Sequence, residues 1–318
     1  MMPMRVEEIK QIAVIGAGLM GHGIAQEFAL AGYNVHLHDL DAGKLRKAEE
    51  NIRNNLGMLT GLGLITKEQA ASTHLHITNC TAIGDALVEA DVVIEAVFED
   101  LKLKKETFRL LDEACPPRTI LASNSSSLLP GLLASATGRP GKVLVAHYFN
   151  PPYLLPLVEI VRHEKTSEET VQTMYGLLRK MGKTPVIVQK EVPGFIGNRL
   201  QTALFREALA IVRDGIATPA DVDIVVKNGF GRRLAAAGVF EIWEIAGWDL
   251  ISAICGNLFP ELDASTEVPA LLKGMVERGE LGTKAGKGFY DWTPESIVAL
   301  KRGIAQVLSK IAQERDIP

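Results

Sequence analysis

A chain of 318 residues has room for two domains at roughly 100–200 residues each. Hydrophobic residues make up 47% and the formal net charge is −4, which leaves no strong electrostatic pull toward nucleic acid or an anionic membrane surface. Three cysteines, odd in number and far apart, fit neither a disulfide framework nor a metal cluster, so Cys80, Cys115 and Cys255 read as reduced thiols of a cytoplasmic protein. The opening MMPMRVEEIK mixes both charge signs and lacks an apolar core, so no signal peptide is expected. No apolar run approaches the length of a membrane span.

The first elements carry the strongest pattern. The apolar run Ile12 to Ile15 stops at Gly16-Ala17-Gly18-Leu19-Met20-Gly21. Helical spacing follows through Ile24, Phe28 and Leu30, then Gly32, a second apolar run from Val35 to Leu37, and Asp39. This order of strand, glycine turn, helix, strand and acid is a dinucleotide-binding fingerprint. Gly16 permits the tight turn, Gly18 lets a pyrophosphate approach the backbone, and Gly21 lets helix and strand pack closely, while free amides at the helix start face the phosphates. Asp39 would accept bonds from the ribose hydroxyls and repel a 2′-phosphate, which favours NAD over NADP. An acid there also ends a strand, or caps the helix that starts near Asp41.

Beyond Asp39 the alternation continues. Helical stretches are expected from about Ala42 to Leu59, near Thr66 to Ala71 and over Leu101 to Ala114. Strands are expected near Leu75 to Thr78, Val92 to Glu95, Thr119 to Ala122 and Val143 to Ala146. Such alternation predicts an α/β fold, a Rossmann-like doubly wound parallel sheet covered on both faces. Pro151, Pro152 and Pro156 break the rhythm, after which Leu157 to Val161 and Pro185 to Val188 read as strands and Glu168 to Met181 as a helix. From Phe195 onward only helices are evident: Phe195 to Asp214, Pro219 to Lys227, Phe240 to Cys255, Val268 to Arg278 and Pro294 to Arg315. The switch at Val192-Pro193-Gly194 divides a nucleotide-binding domain, 1–192, from an all-α C-terminal domain, 193–318.

Three stretches hold candidate chemistry: Ser123-Asn124-Ser125-Ser126-Ser127, His147-Tyr148-Phe149-Asn150-Pro151-Pro152 with Glu159 beyond it, and Gly194-Phe195-Ile196-Gly197-Asn198-Arg199. Oxidising an alcohol with NAD needs a base near neutral pH, and histidine has that intrinsic pKa. Glu159, on the next strand-like run, could lie beside His147 and fix its tautomer. Ser126 and Asn198 could hold the substrate oxygen. Each residue type also has an ordinary structural use: a histidine after a strand as a core residue, a serine run as a loop, an asparagine as a helix cap. A hydrolase reading of Ser126 and His147 lacks the GxSxG elbow.

Together, GAGLMGHGIA, EAVFEDLKLKKETF, SNSSSL, HYFNPP with PLVEI, and PGFIGNRL resemble the L-3-hydroxyacyl-CoA dehydrogenase family, from about Ile12 to Tyr290. The resemblance implies NAD-dependent oxidation of a 3-hydroxyacyl substrate such as 3-hydroxybutyryl-CoA, and a homodimer built on the helical domain. It implies a catalytic His147–Glu159 pair with Ser126 and Asn198 on the substrate side. Cofactor contacts would be Gly16, Gly18, Leu19, Met20, Gly21, Asp39, Glu99, Lys104 and Asn150, with Lys273 a weaker carry-over. Two departures stand out. The family's lysine-rich segment, which meets the nucleotide end of coenzyme A, is here residues 55–66, NLGMLTGLGLIT, with only Arg53 and Lys67 nearby. The family's Pro-Met-Gly-Pro stretch is replaced by residues 229–241, GFGRRLAAAGVFE. The latter is more similar to the λ-crystallin and L-gulonate 3-dehydrogenase branch, which acts on free hydroxy acids. Arg232 or Arg233 could grip a carboxylate bidentately, or simply face solvent. Crystallin relatives also keep open a non-catalytic NAD-binding protein.

Overall fold

The computed structural model describes residues 5–314. The chain divides into two compact units between Arg199 and Leu200. The first holds one eight-stranded sheet in the order β3-β2-β1-β4-β5-β6-β7-β8. Its elements are β1 (Gln11–Ile15), α1 (Gly21–Leu30), β2 (Asn34–His38), α2 (Ala42–Gly61), α3 (Lys67–Leu75), β3 (Ile77–Cys80), α4 (Ile83–Leu87), β4 (Val92–Glu95), α5 (Leu101–Ala114), β5 (Ile120–Ser123), α6 (Pro130–Ala134), β6 (Val143–Tyr148), β7 (Leu157–Val161), α7 (Glu168–Lys180) and β8 (Thr184–Val188).

The inner strands β4, β5 and β6 are buried along their whole length. Such strands must be apolar throughout rather than alternating, because helices cover both faces. On one face Phe28, Ile52, Leu56, Met174 and Leu178 from α1, α2 and α7 close over Val14, Leu37, Ile94 and Leu144. On the other, Phe108, Leu111 and Leu133 from α5 and α6 close over Ala13, Val93 and Leu121. Each fully buried large side chain contributes about 1.5–3 kcal/mol. Side chains set the helix starts: Asp41 accepts from Gly43 N, Asp100 from Leu103 N and Ser167 from Thr170 N.

The expected parallel sheet holds with one exception. β6 and β7 are antiparallel, with His147 opposite Glu159 in register. The segment between them, 149–156, contains no helix. A parallel return needs a crossover of roughly a dozen residues or more, usually helical, so this short link turns the chain back on itself. β3 lies at Ile77–Cys80 rather than Leu75 to Thr78, because the Thr66–Gln69 capping box starts a helix that runs on through Leu75.

The second unit is helical. α8 (Gly197–Arg213) enters it, followed by α9 (Pro219–Asn228), α10 (Phe230–Leu234), α11 (Val239–Ala246), α12 (Trp248–Leu258), α13 (Ala270–Glu277) and α14 (Pro294–Glu314). The helix expected over Phe240 to Cys255 is two helices, broken at Gly247, whose φ of 86° is left-handed. The short α10 breaks no periodicity long enough to read from sequence. Arg315, the expected end of the last helix, lies outside the described residues, as does the segment before Arg5. Among the described residues no helix is long and apolar enough to cross a membrane.

The glycine turn after β1 is tightly built. Gly16 has φ 105°, and a Cβ on Gly21 would stand 1.7 Å from the Gly16 carbonyl oxygen. A Cβ on Gly18 would meet no protein atom within 4 Å. Gly21→Ala should therefore cost roughly 1–3 kcal/mol of overpacking and lower Tm by several degrees. Gly18→Ala should leave Tm unchanged and weaken dinucleotide binding alone. Thermal melts beside NADH titrations separate the two; equal melts for both variants would contradict this reading of the turn.

Candidate active site

β1 adjoins both β2 and β4, so consecutive connections leave the sheet in opposite directions there and open a crevice at the carboxyl ends of these strands. Gly16, Gly18, Leu19, Met20 and Gly21 form its floor. The open space beside Gly18 and the exposed Leu19 are what a bound pyrophosphate requires. Asp39 ends β2 within this crevice: one carboxylate oxygen accepts from Ala17 N at 3.1 Å, the other from Asp41 N at 3.1 Å. The acid thus holds the glycine turn to the second strand while a lone pair on each oxygen remains for a ribose. These features fit an NAD dinucleotide.

Further along the same sheet edge lies the histidine. His147 Nδ1 is 2.8 Å from Glu159 Oε2, and its Nε2 is 3.1 Å from Ser126 Oγ. Both His147 and Glu159 are buried, whereas Ser126 is exposed. With Glu159 ionised, Nδ1 carries the ring proton and Nε2 is left as an acceptor. Rings wall the imidazole in: Phe149 at 4.7 Å and Phe195 at 5.5 Å between centroids. The other oxygen of Glu159 accepts from Ile196 N at 3.0 Å and Gly197 N at 2.8 Å, at the start of α8. Asn198 follows, and its side-chain amide donates to the Ser126 carbonyl at 3.2 Å. One carboxylate thus organises both the base and the loop bearing Asn198. Burial pushes Glu159 up, but His147 and the two amides outweigh it and hold the carboxyl below its usual range.

Glu99 does similar work on the serine loop. One of its oxygens accepts from Ser125 Oγ at 2.5 Å, Ser126 N at 3.0 Å, Ser127 N at 3.0 Å and Ser127 Oγ at 2.9 Å. Burial pushes Glu99 up, and the serines and Lys104 hold it down overall. Lys104 is itself fully buried, bonded to Glu95 Oε1 at 2.7 Å and 3.4 Å from Glu99. Its ammonium therefore reaches the crevice through Glu99. The serine stretch is a candidate from sequence, but only Ser126 within it has a stated role there; Ser123 and Ser125 have none, and Glu95 is missed. The visible signal was a glutamate ending an otherwise apolar strand, where a charge needs a partner. Asn150 is exposed just beyond β6.

Lys273, on α13, is exposed near Glu267, and Arg232 and Arg233 are exposed on α10; all three belong to the second unit. Arg53 pairs loosely with Glu49 at 3.7 Å on α2. Lys67 is exposed at the start of α3. The three cysteines are free thiols, and burial pushes Cys115 up to about 11. Among the described residues, no group of three or more His, Cys, Asp or Glu side chains could hold a metal ion.

Residues 11–192 match the family "3-hydroxyacyl-CoA dehydrogenase, NAD binding domain", and residues 194–292 its "C-terminal domain". The 3-hydroxybutyryl-CoA dehydrogenase of Clostridioides difficile is 38% identical over 283 residues, covering 89% of this chain and 99% of that protein. The human lambda-crystallin homolog is 38% identical over 242 residues, 76% of each chain. The solved structure of 5-formyl-3-hydroxy-2-methylpyridine 4-carboxylic acid 5-dehydrogenase, an NAD+ dependent dismutase, superposes with a TM-score of 0.90 at 32% identity, over 96% of this chain and 98% of that one.

The donors around Glu159 carry a pH signature. A carboxyl held below its ordinary 4.5 stabilises the fold above that value, and the contribution is lost as pH falls through the lowered folded pKa. Glu159→Gln should therefore melt below the wild type at neutral pH, and the gap should narrow on acidification below about 4.5. Melts from pH 7 to 3 test this; a gap that stays constant across the range would contradict it.

Proposed function

The chain belongs to the 3-hydroxyacyl-CoA dehydrogenase family, and we propose that it oxidises the 3-hydroxyl of a 3-hydroxyacyl-CoA, 3-hydroxybutyryl-CoA first among them, to the 3-oxo product. The observation that carries this is His147, held between Glu159 and Ser126 with Nε2 facing the exposed serine. The cofactor is NAD, which when bound supplies the hydride acceptor. His147 Nε2 takes the hydroxyl proton. Glu159 stabilises the imidazolium that results and keeps Nδ1 protonated throughout. Ser126 Oγ and the Asn198 amide hold the substrate oxygen as it changes from hydroxyl to carbonyl. Gly16, Gly18, Leu19, Met20, Gly21 and Asp39 seat the dinucleotide; Glu99, Asn150 and, at one remove, Lys104 serve its nicotinamide half. Lys273 is a weaker cofactor candidate. We assign 1–192 to nucleotide binding and 193–318 to the helical domain, and place the enzyme in the cytoplasm.

A homodimer is supported by the second unit itself. Its buried hydrophobic residues, among the described ones, are Leu209, Ala210, Ile251, Met275 and Ala305, while Phe205, Phe240, Trp248, Phe259, Val298 and Val307 are exposed. An apolar surface of that extent on a single chain marks an association face. Light scattering should report twice the monomer mass at micromolar concentration; a monomer would overturn the assignment.

A second reading is favoured by specific residues. Positions 55–66 carry no lysine to meet a nucleotide phosphate, and Arg232 and Arg233 offer guanidinium forks suited to a free carboxylate. The substrate would then be a free 3-hydroxy acid, as in the L-gulonate 3-dehydrogenase branch. A non-catalytic crystallin-like role is disfavoured by the intact buried His147–Glu159 pair, which packing alone does not require.

His147→Gln should leave NADH affinity near that of the wild type and lower turnover by about 10²–10⁴-fold, the usual contribution of a general base. NADH titration and absorbance at 340 nm measure the two, with 3-hydroxybutyryl-CoA, 3-hydroxybutyrate and L-gulonate as substrates. Undiminished turnover removes His147 as the base. A preference for the free acids selects the second reading, and Arg233→Ala should then raise KM for them.

A further inference from the structure

Lys183 and Glu27 form a buried ion pair outside the site described above. Lys183 stands in the turn between α7 and β8, and Glu27 on α1. The lysine side chain is 5% exposed and the glutamate 11%. Lys183 Nζ donates to the Glu27 carboxylate and, at 2.7 Å, to the carbonyl oxygen of Pro152. An ammonium has three donors and no acceptor, so one lysine can join two segments that each lack a donor there.

The segments it joins are the ones that must keep register for hydride transfer. α1 begins at the glycine turn that faces the pyrophosphate. Pro152 lies two residues beyond Asn150, on the link that leaves β6 after His147. The link lies directly on the helix: a Cβ at Gly23 would stand 2.6 Å from Pro152 Cγ and 3.5 Å from Tyr153 Cδ1. Thr184, next to Lys183, donates its N–H to the Pro156 carbonyl at 2.8 Å, so the far end of the link is fixed from the same turn.

We propose that Lys183 is a positioning residue for the dehydrogenase: through Glu27 and Pro152 it fixes the distance between the phosphate-binding end of α1 and Asn150 at the nicotinamide end. Simple packing would be served as well by an apolar pair. The bond to the Pro152 carbonyl gives the lysine a directional task that an apolar residue lacks. The proposal rests on the dehydrogenase reading for where the nicotinamide lies, because hydride must pass beside His147.

The test compares NADH with ADP-ribose, which carries the same phosphates but no nicotinamide, by calorimetric titration. Lys183→Met should weaken NADH about tenfold, the scale of one lost charge-assisted bond. It should leave ADP-ribose within about twofold. Glu27→Gln keeps an acceptor for Lys183 and the bond to Pro152, so it should retain the wild-type ratio. Should Lys183→Met fail to fold around an unpaired Glu27, the neutral double variant Lys183→Met/Glu27→Gln carries the same comparison and should show the same selective loss. Equal weakening of both ligands, or no change in either, would overturn the proposal. Wild-type binding without turnover of any hydroxy substrate would instead count against the dehydrogenase reading, leaving the NADH to ADP-ribose ratio to judge Lys183.

Discussion

A carboxylate buried in the middle of a strand stays ionised only if donors surround it, and Glu159 has three: the His147 ring and the amides of Ile196 and Gly197. Much of the site follows from that need. The ring is oriented with Nε2 toward Ser126. The chain after β8 is drawn to the second oxygen, which starts α8 there and places Asn198 against the Ser126 carbonyl. Phe195 takes a φ of 51°, unusual for a residue with a side chain, and is buried beside the imidazole. A conformation of that kind persists where its surroundings over-determine it, here by the paired amides on one side and the aromatic contact on the other.

The antiparallel pairing of β6 with β7 makes this possible. Cross-strand partners in register point to the same face, so His147 and Glu159 meet without help from a loop. A parallel β7 would have required a helical crossover and put the glutamate at a different level of the sheet. The second constellation is built differently. Glu99 lies just past β4 and gathers the serine loop that follows β5, the parallel neighbour of β4. Two carboxylates therefore fix Ser126: Glu99 through its backbone amide and Glu159 through the histidine that faces its hydroxyl.

The sequence discloses these elements unevenly, for physical reasons. The turn at Gly16–Gly21 is legible because short-range sterics and close backbone approach to a phosphate demand glycine at that spacing, and Asp39 because an acceptor for ribose hydroxyls is expected at the end of the second strand. The His147–Glu159 pair is a candidate from sequence because a second strand-like run could carry Glu159 alongside the histidine; the antiparallel return that pairs them is not, because the alternation predicts a parallel sheet. The buried Glu95–Lys104 pair was not, because a lysine on an amphipathic helix reads as a solvent-facing residue until the strand end it covers is known. The break at Gly247 was missed for a related reason: one glycine within an apolar run costs a helix only about 1 kcal/mol, so tertiary packing decides whether the helix ends there.

Substrate choice is the least legible property, and the reason lies in the chemistry itself. The roles proposed for His147, Glu159, Ser126 and Asn198 concern a carbon, its hydroxyl and the departing hydride, a group common to a thioester and a free acid. What distinguishes those substrates is the far end: phosphates on one, a carboxylate on the other. Recognition of either depends on long basic side chains whose useful geometry is set by bound ligand rather than by the fold. Arg53, Lys67, Arg232 and Arg233 are all exposed, and no described side chain locks the last three into one orientation. A residue held so loosely leaves little imprint on packing or periodicity. Burial fixes His147 and Glu159, and hydrogen bonds fix Ser126 and Asn198, so the groups proposed for the reaction are held by the fold, whereas those proposed to choose the substrate are left free by it.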